Sequence, residues 1–485
     1  MRTIPYILSL GLLILASSGT PDAGAQPVPV GERPVSSTAF ADLVVDRFTT
    51  ENGLPNNTVV SIVQDSVGFV WFGTHEGLAR FDGFSFHVFQ HDPLDPTSIS
   101  SSWAEYLYVD SQGVLWVGTL GGGLNRFDQT TERFTSYRHD PDDPTSLIQD
   151  SVTVILEDHL GNLWVGTHGG LDRFDRETGT FTHYRHDPND PTSLSNNQVR
   201  TLFEDRNGTL WVGTGSAFGA ESPPEAGGLN RFDRQTGTFI RYLHDPNDPT
   251  SLADNKVETL FEDSRGNFWV GTLGGVLNRM DRERGTFERF YLDPSRPDRL
   301  SRFEQNTLPE ACGATDCGTI SFIDEDASGV LWIGNVRYGL FRYHPARGVR
   351  HHNSGPDDPN ALANTLVWTT LETRDGTRWI GNFYGGVHRV TERSEQFRHY
   401  LGGDNTIEGP GGARVMGLET SDDGVVWIAT LGEGLIRFDP HTNTVSRRRA
   451  GANGMDRHFI EHDRLARDER KIRKEKRRRA TSPRR

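Results

Sequence analysis

The sequence has very little cysteine and few long apolar runs. Only Cys312 and Cys317 occur among 485 residues, and a bond between them would close only a short loop, so disulfides cannot organise the fold. After the apolar stretch at residues 4–17, no run approaches the roughly 20 apolar residues of a membrane-spanning helix. We therefore expect no transmembrane segment in the mature protein.

The N-terminus has the features of a signal peptide. Arg2 precedes the apolar stretch, and Ala23-Gly24-Ala25 forms the small-x-small pattern that signal peptidase accepts. We expect cleavage after Ala25, which leaves residues 26–42 as a linker. The sequence thus predicts a periplasmic or secreted protein.

Positive charge is scarce except at the C-terminus. The net charge is −15, yet the tail from Arg447 carries 16 Lys and Arg against six Asp and Glu, or +10, which leaves −25 for the remainder. A surface this acidic repels phosphate backbones, so we expect no nucleic acid partner for the body of the protein. Residues 447–485 are expected to be disordered or partly helical, and either an anion-binding role or truncation of a longer gene would explain them.

Tryptophans recur at a regular interval. Eight of them are spaced by 45, 48, 47, 58, 63, 47 and 48 residues, at Trp71, Trp116, Trp164, Trp211, Trp269, Trp332, Trp379 and Trp427. Each unit contains four short apolar or alternating runs separated by Gly- and Asp-containing turns. This period is that of a four-stranded propeller blade, and it predicts an all-β propeller over residues 43–446.

The chain begins its repeats with an incomplete unit. Residues 43–50 copy the last strand of a unit without the three strands before it. We expect this strand to complete the last blade and to close the ring by hydrogen bonds between the chain ends. Eight units are compatible with a ring of either seven or eight blades, since the eighth unit could widen the ring or begin a second propeller.

One phrase of the repeat is distinctive. It first runs through Gly53-Leu54-Pro55, Val63-Gln64-Asp65-Ser66-Val67-Gly68-Phe69-Val70-Trp71-Phe72-Gly73-Thr74 and Gly77-Leu78-Ala79-Arg80-Phe81-Asp82-Gly83. It resembles the opening of two-component regulator propeller proteins, and the resemblance covers about residues 43–446. The resemblance implies a periplasmic sensor region of a hybrid histidine kinase or related signalling protein, many of which are thought to sense glycans.

The sequence also departs from that family. Members commonly have two propellers, a β-sandwich, a membrane helix and cytoplasmic output domains, whereas this chain has eight units and no recognisable kinase. The resemblance therefore implies a truncated sensor without its own output. A signalling partner or a second propeller would be its expected partner.

The residue type at one position of the first strand varies from unit to unit, and no packing requirement explains this variation. It lies five residues before the turn aspartate or its equivalent, at Val60, Glu105, Thr153, Arg200, Glu258, Ser321, Trp368 and Met416. A position facing the central channel tolerates such variety. Glu105, Arg200, Glu258 and Trp368 are therefore candidate ligand contacts, and a solvated lining without a ligand is the alternative.

Aromatic residues replace turn residues in two loops that follow the second strand. These loops contain Arg337 and Tyr338 in the sixth unit and Phe383 and Tyr384 in the seventh. Aromatic faces and hydrogen-bonding side chains bind sugars, so we select these four as candidate saccharide contacts. The alternative is contact with a second propeller or another subunit.

Few other chemical sites are indicated. The two insertions at residues 215–227 and 293–318 break the period, and the second contains Cys312 and Cys317, for which export favours a disulfide. The sequence shows no catalytic motif, metal-ligand pattern or cofactor site. We expect a ligand-sensing propeller, for which an oligosaccharide is the candidate ligand. A protein-interaction scaffold is the alternative, and a propeller lyase or glycosidase is the less favoured one.

Overall fold

The computed structural model describes an all-β chain with one short 3-10 helix at Thr50–Asn52. The described residues are 43, 45–215, 226–292, 300–302, 318–352, 362–390, 414–421, 424–431, 434–439 and 444–448. Eight antiparallel sheets follow one another along the chain, and each has at least four strands.

Blades 1 to 4 are each a meander of four consecutive strands. Their strands are β2 (Val59–Gln64), β3 (Val70–Thr74), β4 (Gly77–Phe81) and β5 (Phe86–Phe89); β6 (Ala104–Val109), β7 (Leu115–Thr119), β8 (Gly123–Asp128) and β9 (Arg133–Tyr137); β10 (Val152–Glu157), β11 (Leu163–Thr167), β12 (Gly170–Phe174) and β13 (Phe181–Tyr184); and β14 (Val199–Glu204), β15 (Leu210–Thr214), β16 (Gly228–Asp233) and β17 (Thr238–Tyr242).

Blades 5 to 7 and an eighth sheet complete the architecture. Their strands are β18 (Val257–Glu262), β19 (Phe268–Thr272), β20 (Val276–Asp281), β21 (Thr286–Tyr291) and the extra β22 (Ser301–Arg302); β23 (Ile320–Glu325), β24 (Leu331–Asn335), β25 (Gly339–His344) and β26 (Gly348–His352); β27 (Val367–Glu372), β28 (Arg378–Asn382), β29 (Gly386–Val390) and β1 (Val45–Phe48); and β30 (Arg414–Thr420), β31 (Val426–Leu431), β32 (Gly434–Asp439) and β33 (Thr444–Arg448).

The ring closes after seven blades. The first strand of each blade contacts the first strand of the next, and β27 of blade 7 contacts β2 of blade 1. These seven strands therefore surround a central channel. The expectation of a propeller of seven to eight blades is confirmed, and the ring itself contains seven. The strands of the eighth sheet pack mainly against one another within the described residues.

The N-terminal strand makes the closure. β1 pairs antiparallel with β29, from Val45 opposite Val390 to Phe48 opposite Val387, and so supplies the outer strand of blade 7. The sequence predicts this role, although the strand completes the seventh unit and not the eighth. Closure removes the open edges that a linear stack of sheets would expose.

A buried hydrogen bond recurs in the first six blades. The indole Nε1 of the repeat tryptophan donates to Oδ2 of the turn aspartate at 2.8 or 2.9 Å. In blade 1, Oδ1 of Asp65 also accepts from the backbone N–H groups of Gly68 and Phe69, which fixes the turn. Trp71 then packs among core residues of blade 2, including Leu115 and Phe127. Each tryptophan thus links its own turn to the interface with the next blade.

Arginines reinforce three of these interfaces. Arg234 of blade 4 donates to Asp158 of blade 3 at 2.6 Å and to Glu204 of its own blade at 2.7 Å. Arg176 and Arg282 make the corresponding pairs one blade earlier and one blade later. Burial alone would raise the pKa of Asp158, but the indole donor and the guanidinium lower it below its usual value.

A buried polar side chain on the third strand anchors the linker that enters each of blades 2 to 5. In blades 2, 4 and 5 this residue is asparagine, at Asn125, Asn230 and Asn278, and its Oδ1 accepts a linker N–H at 2.9 or 3.0 Å. Blade 3 has Asp172 there, whose Oδ2 accepts from Ile148 N at 2.8 Å and whose Oδ1 lies 2.5 Å from His183 Nδ1. Burial raises the pKa of Asp172 to about 6, against the opposing effect of His183.

This aspartate predicts a local pH dependence of stability. Because its folded-state pKa exceeds the unfolded value of about 3.9, its contribution is complete below about pH 4 and is lost as the pH rises through about 6. Asp172→Asn should accept from Ile148 and donate to His183. We expect it to raise the free energy of unfolding by about 2 kcal/mol at pH 7.5 and to have little effect near pH 4.

Urea denaturation at both pH values measures this difference. Asp175→Asn is the matched control, because Asp175 lies in the next turn of the same blade and is solvent-exposed. It should show no gain at pH 7.5. A gain for Asp172→Asn that is equal at both pH values would contradict the assignment.

Candidate functional site

A β-bulge marks the same residue in the first strand of every blade. The pairing of the first and second strands shifts register around this residue, for example between Ala104 and Tyr106 on either side of Glu105. The shifts fall at Val60, Glu105, Thr153, Arg200, Glu258, Ser321 and Trp368, and at Met416 in the eighth sheet. These are the positions that the sequence indicates as channel-facing. A bulge redirects its side chain away from the regular ladder, which explains their freedom to vary.

Three of the bulge residues are charged, Glu105, Arg200 and Glu258, and we call them the charged trio. Arg200 Nε donates to Glu258 Oε2 at 3.3 Å, and their side chains are 11% and 4% exposed. Burial would lower the pKa of Arg200, but the two glutamates raise it above its usual value. Burial raises the pKa of Glu105 although Arg200 opposes the shift. Glu105 of blade 2 therefore interacts with groups of blades 4 and 5.

Aromatic side chains lie beside the trio at the mouth of the channel. The ring centroids of Trp368 and Phe383 are 4.7 Å apart, in an edge-to-face arrangement. The ring centroid of His75 lies 5.6 Å from that of Phe383 and 4.0 Å from that of Trp103. With Tyr384, 6.0 Å from Phe383, these five residues form what we call the aromatic arc.

The aromatic arc and the charged trio are joined directly. Trp103 Nε1 donates to Glu105 Oε2 at 3.0 Å. In blade 7, the loop that follows the second strand is fixed by a backbone hydrogen bond, in which Phe383 N donates to Leu366 O at 2.9 Å. The mouth thus places aromatic faces next to hydrogen-bonding charged groups, which is the combination that recognises polyhydroxylated ligands.

Tyr384 has an unfavourable backbone conformation. Its φ is 60°, and its side chain is 72% exposed. The equivalent residue of blade 2 is Gly121, with a φ of 77°. The left-handed conformation costs a residue with a Cβ roughly 1–2 kcal/mol, and the exposed ring gains no core packing in return. Such strain at an exposed aromatic residue makes Tyr384 a candidate contact for a ligand.

The sixth-blade candidates are placed differently. Tyr338 is half-buried and packs against the core cluster that contains Trp269 and Phe341. Its carbonyl accepts from His351 Nε2, and the guanidinium of exposed Arg337 lies 5.8 Å from its ring centroid. The structure therefore gives Tyr338 a packing contact, whereas Phe383 and Tyr384 join the aromatic arc.

Sequence reasoning missed two members of the arc, His75 and Trp103. His75 follows Thr74 in the same way that Phe383 follows Asn382, so the alignment of the loops already contained this signal. Trp103 and Trp368 are also the two tryptophans of the ten that do not belong to the eight regularly spaced ones. Both lie at the mouth of the channel.

Other candidates lie outside this site. Cys312 and Cys317, with the disulfide expected between them, fall outside the described residues. The described ranges contain no group of three or more His, Cys, Asp or Glu side chains that could hold a metal ion. The histidines of the linkers bond to the chain, as when His139 Nδ1 lies 2.8 Å from Leu147 O. Where the structure describes the chain, no helix is both long and apolar enough to cross a membrane.

Known proteins share this repeat and fold. The model of a family described as two component regulator propeller matches residues 53–76, 146–169, 193–216 and 251–274. Histidine kinase P4 of Formosa agariphila is 42% identical over 60 residues, which are 12% of this chain and 4% of that protein.

Solved extracellular domains from B. thetaiotaomicron extend the likeness. That of a hybrid two component system is 26% identical, with a TM-score of 0.62 over 84% of this chain and 49% of the other. That of a one component system is 19% identical and shares the fold, with a TM-score of 0.52 over 84% and 48%. The chain spans about half the length of these two domains.

The fold and the candidate site define a class of domain. It is a closed seven-bladed propeller whose channel mouth is lined by aromatic and charged side chains. Four segments of the chain match the two-component regulator propeller family. It resembles the extracellular sensor domains of two-component systems.

The charged trio predicts a coupling that can be measured. Arg200→Met should lower the free energy of unfolding by about 3 kcal/mol, because it removes the guanidinium that pairs with the buried Glu258 carboxylate. Adding Glu258→Gln should recover most of the loss, as a double-mutant cycle by urea denaturation would show. Arg284→Met, at a pair whose arginine is exposed, is the control and should change stability by less than about 0.5 kcal/mol. Equal losses in the single and double variants would contradict the pairing.

Proposed function

We propose that this chain is the ligand-sensing propeller of an exported signalling protein and that it binds an oligosaccharide at the mouth of its channel. The observation that carries the proposal is Tyr384, an exposed aromatic residue in a left-handed backbone conformation where blade 2 has glycine. Its neighbours Phe383, Trp368, Trp103 and His75 extend the aromatic surface.

The resemblance to extracellular sensor domains supports this assignment. In such an arrangement the propeller binds the ligand outside the cytoplasm, and a partner or a further part of the protein transmits the signal. The signal-peptide pattern at residues 1–25 agrees with export. A protein-interaction scaffold would use the same aromatic arc for a partner, so the test must use carbohydrate.

Tyr384→Gly separates a binding role from a structural one. Glycine relieves the left-handed strain, so the free energy of unfolding should stay the same or rise by about 1 kcal/mol. Loss of the aromatic face should weaken oligosaccharide binding by about 10-fold or more, which corresponds to about 1.4 kcal/mol. A glycan array followed by calorimetric titration measures binding, and urea denaturation measures stability.

Phe84→Gly is the matched control for this variant. Phe84 is 97% exposed, but it lies in the turn between β4 and β5, at the opposite end of the strands from the mouth. It should leave binding unchanged. Equal binding by Tyr384→Gly and the unmodified protein, or the absence of any bound glycan together with a stable protein partner, would contradict the proposal.

A further inference from the structure

The charged trio carries information about the kind of sugar. Arg200 is largely buried, and its one hydrogen bond to the described residues runs from Nε to Glu258. Its two terminal amino groups have no protein acceptor within the described ranges. A guanidinium of this kind, on the channel wall, is placed to donate two parallel hydrogen bonds to a ligand.

The surroundings of Arg200 decide which acceptors suit it. Glu105 and Glu258 both interact with it, so the trio carries a formal charge of −1 when both glutamates are ionised. A carboxylate or sulfate on a ligand could accept from Arg200, but it would also face two carboxylates in a partly dehydrated site. Charges of like sign repel strongly there because water screens them poorly.

A pair of adjacent hydroxyl groups satisfies both kinds of residue. Each hydroxyl can accept from an arginine N–H and can donate to a glutamate oxygen, whereas an ionised carboxylate is an acceptor only. Trp103 fixes Glu105 by a hydrogen bond of 3.0 Å, so this acceptor is held next to the aromatic arc. A sugar ring lying on the arc would thus present its hydroxyl edge to the trio.

We propose that Glu105, Arg200 and Glu258 select uncharged sugars by binding two adjacent hydroxyl groups and that they reject sugars with carboxylate or sulfate groups. This inference rests on the proposed binding of an oligosaccharide at the mouth. The charge of −25 on the chain before Arg447 acts in the same direction, since it disfavours the approach of anionic polymers.

The test compares neutral oligosaccharides with their oxidised forms. The probes are cellohexaose, laminarihexaose, maltohexaose and mannohexaose, each beside the form whose primary hydroxyls have been oxidised to carboxylates. Titration at low ionic strength avoids screening of the charges. We expect at least one neutral hexasaccharide to bind, and its carboxylated form to bind at least 10-fold more weakly.

Glu105→Gln tests whether the trio causes the rejection. Glutamine has the same shape and can still accept from Trp103 Nε1, but it lacks the negative charge. The ratio of neutral to carboxylated affinity should fall at least threefold. Glu177→Gln, at an exposed turn residue of blade 3 between β12 and β13, is the matched control and should leave the ratio unchanged.

The outcomes distinguish this inference from the proposed function. Tighter binding of the carboxylated form, or an unchanged ratio in Glu105→Gln, would overturn the selection by the trio while oligosaccharide binding stands. If neither the neutral nor the carboxylated probes bind, the proposed function fails and this inference fails with it. A thermal melt of Glu105→Gln verifies that the variant is folded.

Discussion

The fold depends on the hydrogen bond between the repeat tryptophan and the turn aspartate. A tryptophan brings a large apolar surface to the blade interface, but its indole N–H requires an acceptor when it is buried. The aspartate supplies that acceptor and at the same time fixes the turn of its own blade, as Asp65 does for Trp71. Three arginines, one in each of blades 3 to 5, compensate the charge of the turn aspartate in the preceding blade. They are Arg176, Arg234 and Arg282. One buried contact therefore orients both the turn and the neighbouring sheet.

This arrangement separates the tryptophans and aspartates that build the ring from the residues at the channel mouth. The tryptophan and its turn lie toward one end of the blade, whereas the bulge residues and the loops after the second strand lie toward the other. Residues at the mouth can therefore vary without disturbing the contacts between the tryptophans and the turn aspartates. Seven blades can share one packing scheme and still present Glu105, Arg200 and Trp368 at equivalent positions.

Much of this was predictable from the sequence because repetition amplifies weak local signals. Eight tryptophans in rhythm predicted the blades, and the single unmatched strand at residues 43–50 predicted ring closure. The sequence singled out the bulge positions because a bulge residue varies while its neighbours keep the pattern. The number of blades in the ring was not predictable, since it depends on the angle between sheets, and the unmatched strand could have completed either the seventh or the eighth unit.

The site was predicted less completely. Tyr338 and Phe383 look alike as aromatic residues in loops, but only the structure shows that Tyr338 packs in a core cluster. His75 and Trp103 were missed because a histidine in one loop and a tryptophan before a strand acquire meaning only when blades 1, 2 and 7 meet. The electrostatic influence of Arg200 on the pKa of Glu105 also connects blades that are not adjacent.

The central claim is that ligand binding takes place at the channel mouth. Hydrogen–deuterium exchange, measured with and without a bound oligosaccharide, tests it directly. The account predicts slower exchange in residues 73–76, 103–106, 366–369 and 382–386, where the arc and the trio meet. Slower exchange confined to the turns at residues 65–69 and 110–114, or to the eighth sheet at 414–448, would contradict it.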